Sequence, residues 1–92
     1  MESKEQIIDR LKAAGYETIF EYDDAAGEFF AEHTHPGEEC LVVIRGSLEV
    51  NMDGKHHVCN VGDELIFPQM MPHDAKMGPE GCFYIVGEKH PV

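Results

Sequence analysis

The sequence contains no tryptophan, three cysteines, and seven lysines and arginines against eighteen aspartates and glutamates. Each shortage excludes something. The cysteines, Cys40, Cys59 and Cys82, are odd in number, widely spaced and form no CxxC pair, which suits reduced thiols rather than a disulfide framework. A formal net charge of -11 repels phosphate backbones and anionic headgroups, arguing against nucleic acid and membrane surfaces as partners. No apolar run approaches the ~20 residues of a membrane-spanning helix. The opening stretch MESKEQIIDR carries acids where a secretory signal needs basic and then apolar residues, so a cytoplasmic location is expected. Internal repeats, low-complexity tracts, a glycine-rich phosphate loop and a serine nucleophile elbow are all missing.

What is present fits one small domain over residues 1–92, in which a partner chain or a bound metal would add to the stability of a modest core. In SKEQIIDRLKAAG, Ser3 and Gln6 have capping-box spacing and Gly15 supplies a stop, predicting a helix over about 3–14. Ile7, Ile8, Leu11 and Ala14 fall on one stripe, giving that helix a face to pack. From Glu17 the period becomes strand-like. Strands are expected at 17–22, 28–33, 39–44, 47–52, 55–60, 64–67, 73–77 and 82–86, within a barrel over about 17–88. Turn signals separate them, including Arg45-Gly46, Gly78-Pro79 and, strongest, the hairpin pair Asp53-Gly54. Many short strands with regular turns imply an all-β closed barrel or two-sheet sandwich behind a short N-terminal α-helix.

Alternation across a strand puts His33 and His35 on one face and Thr34 on the other. Two imidazoles projecting together can grip a cation or simply sit in water. The turn at Pro36-Gly37 lets Glu39 return to the same point, and His73 follows Pro72, whose ring fixes the backbone before it. Three neutral imidazoles and a carboxylate bind borderline divalent metals well. The other histidines read as surface residues, and the cysteines and methionines as apolar filling.

These residues also carry a resemblance. The spacing is similar to that of the cupin family, small double-stranded β-helix (jelly-roll) barrels. Its first motif is met by Gly27, His33, His35, Glu39 and Gly46, with five residues between Gly27 and His33, three between His35 and Glu39, and six between Glu39 and Gly46. The second is met by Gly62, Pro68 and His73, but Met70 stands where the family has glycine and Met77 where it has asparagine. The resemblance implies that His33, His35, Glu39 and His73 ligate one divalent ion (Fe, Mn, Ni, Co or Zn). It further implies chemistry on a small molecule of dioxygenase, isomerase or lyase type. A small barrel with unpaired sheet edges is also expected to pair as a homodimer. Two other function classes stay open, a small-ligand binding or sensing module and a closed structural metal site.

Alternation then predicts an apolar wall beneath the ion built from Phe29, Ala31, Leu41 and Val43, with Met70 and Met71 narrowing the mouth. Such a pocket suits a small ligand with one metal-binding end and a short apolar body. A glycine replaced by Met70 also suggests a different loop path before His73, because methionine adopts a positive φ reluctantly.

Overall fold

Ser3 caps the helix as its spacing requires. In the computed structural model, which describes residues 1–92, the Ser3 side chain accepts from the Gln6 amide and the Gln6 side chain accepts from the Ser3 amide. The helix α1 runs Lys4–Ala13 and ends at Gly15, whose φ is positive. Ile7 and Leu11 form its buried face. No helix of the chain is long and apolar enough to cross a membrane.

Six strands follow, β1 Thr18–Asp24, β2 Phe29–His33, β3 Glu39–Met52, β4 Lys55–Cys59, β5 Glu64–Phe67 and β6 His73–Glu88. All pairings are antiparallel. β3 and β6 run side by side for nearly their whole length, and each belongs to two layers. In one layer the later part of β6 pairs β1 and the early part of β3 pairs β5; in the other, the early part of β6 pairs β2 and the later part of β3 pairs β4. The result is a jelly-roll β-sandwich.

Two expected turns are therefore bends within strands. The segments 39–44 and 47–52 form one strand, as do 73–77 and 82–86. Register shifts between Val43 and Arg45 and between Gly46 and Leu48 fold β3 from one layer into the other. A glycine following a charged residue reads equally well as a hairpin turn or a bulge, and here the ladder continues past it. Asp53-Gly54 does form the expected hairpin turn, with both residues at positive φ.

Alternation sorts the apolar residues into two cores. Leu41, Val43, Leu48, Val50, Met77, Tyr84 and Val86 face inward between the layers. Cys40, Val42 and Ile85 point to the outer face, where Ile7, Leu11 and Tyr16 cover them. The helix thus seals the outer face of the β1-containing layer. All three cysteines are buried free thiols. Burial pushes Cys40 up to about 11 and Cys82 to about 12, so both remain protonated small hydrophobes.

The bend sets a sharp demand on Gly46. Its φ is +78°, and a Cβ there would meet the Gly81 carbonyl oxygen at 2.1 Å, a backbone atom that cannot swing aside. Gly27 also has positive φ, yet a Cβ there meets nothing within 4 Å. Gly46→Ala should therefore cost about 3 kcal/mol or more and Gly27→Ala about 1 kcal/mol. Denaturant midpoints of both variants check this; equal losses would remove the bend as the constraint.

Candidate metal centre

The end of β2 and the start of β6 lie side by side, with His33 opposite His73. His35 arrives from the loop after β2. Its carbonyl accepts from the Met70 amide at 2.9 Å, which ties this loop to the one preceding β6. The three rings converge, with centroid separations of 4.9 Å for His33–His35, 4.4 Å for His33–His73 and 5.1 Å for His35–His73. Each offers a nitrogen within 4.8 Å of the others.

Two of the rings have their proton placed by the main chain. His33 Nδ1 lies 2.7 Å from the Ala31 carbonyl oxygen and His73 Nδ1 lies 2.9 Å from that of Met71. A carbonyl only accepts, so Nδ1 carries the hydrogen and a neutral ring keeps its lone pair on Nε2. Burial is the main cause holding His35 and His73 below the ordinary imidazole range, with the neighbouring rings adding to it. His35 and His73 thus favour the neutral, nitrogen-donor form.

Glu39 begins β3 and is buried, with Oε2 3.5 Å from His35 Nδ1. It joins His35 and a further carboxylate, Glu88, in a second potential ligand group rather than the three-histidine group itself. Glu39 and Glu88 face one another across the β3–β6 ladder. Burial raises the Glu39 carboxyl well above the ordinary carboxylate range, and the hydrogen bond with Glu88 raises it further. Two like charges directly opposed across a ladder are destabilising unless a proton or a cation lies between them. Glu88 lies two residues past 86, where the sequence pattern ends the last expected strand. Two more residues of the alternation that turns Tyr84 and Val86 inward would have reached it.

A cavity of about 440 Å³ extends from the histidines between the two layers. Leu41 lines it as expected, whereas Val43 is buried in the inner core without bordering it. Phe29 and Ala31 are corrected: both are exposed on β2, and Phe30 lines the cavity instead. A bulge is responsible. Between the pairs Phe30↔Ala75 and His33↔His73, β2 advances three residues while β6 advances two, so Phe30 and His33 both face inward.

Met70 and Met71 are corrected as well. Neither borders the cavity; Met70 is exposed and Met71 packs against the inner core. Met70 has φ 60°, so the loop keeps the left-handed turn that glycine would take. What these two residues contribute to the site is backbone, the Met70 amide on His35 and the Met71 carbonyl on His73. Met77, in place of the family's asparagine, is 2% exposed and lines the cavity as apolar wall.

A family model described as "Cupin domain" matches residues 20–86, most of the chain. The chain belongs to the cupin family. No curated protein matches this cupin. Among solved structures it is similar to a protein of unknown function from Rhizobium leguminosarum, with 21% identity and TM-score 0.75 over 82% of this chain and 70% of that one. It is also similar to the DMSP lyase DddQ of Ruegeria pomeroyi, with 23% identity and TM-score 0.69 over 80% of this chain, which spans 37% of the lyase. The cupin domain of an XRE family transcriptional regulator from Enterobacter cloacae aligns with 24% identity and TM-score 0.70, over 80% of this chain and 81% of that one. At these identities the likeness is one of fold.

The raised carboxyl makes a prediction for the metal-free protein. A group whose folded value lies above its unfolded value adds stability that is complete below about 4.5 and is lost as pH rises through the folded value. With His35 and Glu88 facing Glu39, metal-free protein should lose about 1 kcal/mol or more as pH rises from the ordinary carboxylate range past neutrality. Glu39→Gln should flatten that decline. Chemical denaturation of both proteins across this range is the check, and parallel curves would show that Glu39 titrates normally.

Proposed function

We propose that His33, His35, His73 and Glu39 hold one divalent metal ion, with Glu88 beside them, and that this cupin acts on a small organic molecule in the adjoining cavity. The observation that carries this reading is the pair of imidazole Nδ1 atoms fixed on the Ala31 and Met71 carbonyls. Histidines that ligate a metal characteristically donate their other ring N–H to a carbonyl or carboxylate. Three nitrogen donors with nearby carboxylates suit Mn, Fe, Co, Ni or Zn, and availability and geometry decide among these.

Bound there, the ion would supply Lewis-acid or dioxygen-binding chemistry. The protein's own residues do the rest. The backbone ties at Met70 and Met71 hold the loops that carry His35 and His73, so the donors are in place before anything binds. Leu41, Val50, Phe67 and Met77 present an apolar wall to a ligand in the cavity. Glu88 places a further carboxyl beside these four ligands.

The solved relatives include the DMSP lyase already named, which favours an enzyme. The equally long cupin domain of the transcriptional regulator supports a second reading, a module that binds a small ligand without turnover. Turnover across a metabolite panel separates the two.

Metal analysis of protein purified without added metal or a chelating tag should find about one divalent ion per chain. His35→Ala should retain a folded sandwich and lose most of that metal. Apparent affinity should fall as acid protonates the imidazoles. Full occupancy in His35→Ala, or affinity independent of pH from neutrality to mild acid, would refute the three-histidine site.

A further inference from the structure

Glu38 and Lys89 stand just outside the ends of β3 and β6, next to Glu39 and Glu88. Their side chains meet beside Tyr16, on the outer face. Lys89 Nζ lies 3.6 Å from Glu38 Oε2 and 4.9 Å from the centre of the Tyr16 ring, and the Tyr16 hydroxyl donates to Glu38 Oε2 at 2.6 Å. The main chain ties the same two residues, the Lys89 amide donating to the Glu38 carbonyl at 2.9 Å. Gly37 closes the clasp: a Cβ there would overlap the Lys89 carbonyl oxygen and come within 3.4 Å of Glu88 Cγ.

With Glu38 and Lys89 turned outward, the next residue of each strand turns inward. Glu39 and Glu88 oppose each other in the ladder and both border the cavity, whose lining has no lysine or arginine. Each offers a carboxylate oxygen within 4.8 Å of the other's and of a His35 nitrogen. Glu39 is 7% exposed, and its one ion-pair contact is His35 Nδ1 at 3.5 Å. Glu88 has no ion-pair contact at all. Two carboxylates free to move would separate into water. Here the clasp holds together the strand ends that carry them, against their mutual repulsion.

We infer that Glu88 is a fifth protein donor to the ion, outside the four positions of the family pattern, and that it biases the site toward Mn²⁺ over Zn²⁺. This rests on the metal reading above. His35 belongs to both donor groups, so the carboxylate pair and the three imidazoles gather around one centre. A second carboxylate matters most to an ion that takes six donors with oxygen among them, as Mn²⁺ does, whereas Zn²⁺ is satisfied by four and gains little from a fifth. A carboxyl that only shared a proton with Glu39, or only added negative charge nearby, would treat the two ions alike.

The probes are Mn²⁺ and Zn²⁺ alone, titrated at one pH into metal-stripped protein. Bound Mn²⁺ is read from loss of the free-ion paramagnetic resonance signal, and bound Zn²⁺ by competition with a chromophoric chelator. Glu88→Gln keeps the shape of the side chain and removes its charge. It should lower Mn²⁺ affinity about thirtyfold and Zn²⁺ affinity about threefold, an about tenfold change in their ratio. Glu88→Ala, which leaves no oxygen there, should change the ratio at least as far. Glu28→Gln removes the same charge from the cavity wall outside both donor groups and should leave the ratio unchanged. Wild-type protein that binds neither ion would overturn the metal reading and this inference with it. Wild-type binding with an unchanged ratio in both Glu88 variants, or with an equal change in Glu28→Gln, would overturn this inference alone.

Discussion

Both layers of the sandwich are made from the same two strands. β3 and β6 lie against each other on either side of a shared bend, and every other strand attaches to one of them. The bend is possible because Gly46 approaches the Gly81 carbonyl more closely than a side chain allows. Since β6 begins with His73 and ends with Glu88, and β3 begins with Glu39, folding these strands over brings their ends together at one rim. Geometry of the sheet, rather than proximity in sequence, assembles the donors from residues far apart in the chain.

The site divides its work between side chains and main chain. Side chains supply donors and charge; the carbonyls of Ala31 and Met71 supply orientation. A ring whose Nδ1 is engaged has one lone pair to offer and one direction for it. The carboxylate pair behaves differently. Buried Glu39 opposes half-buried Glu88, and neither has a lysine or arginine partner, so ionising both carries an electrostatic cost that a shared proton or a cation offsets. That cost and the oriented nitrogens point the same way.

Much of this was legible in the sequence. The capping box at Ser3 and the hairpin at Asp53-Gly54 follow from residues a few positions apart, and the convergence of His33, His35 and His73 from the family pattern. The inner wall was legible only in part. Phe29 and Ala31 were misassigned because an extra residue in β2 exists only relative to β6, and nothing local announces a mismatch between two strands. Glu88 was missed because strand ends are set by the partner, here β1 and β3 together. Met70 and Met71 were read by their side chains when their amide and carbonyl mattered, and those groups are common to every residue but proline.

The reliance on backbone groups has a consequence for divergence. Positions 31 and 71 orient imidazoles through atoms that any residue provides, and position 70 asks only for a left-handed turn and an amide hydrogen. Lineages can therefore rewrite these loops, and with them the rim that meets solvent, while the histidines stay aimed. Such tolerance lets the rim change its surface while the imidazoles of His33 and His73 keep their orientation.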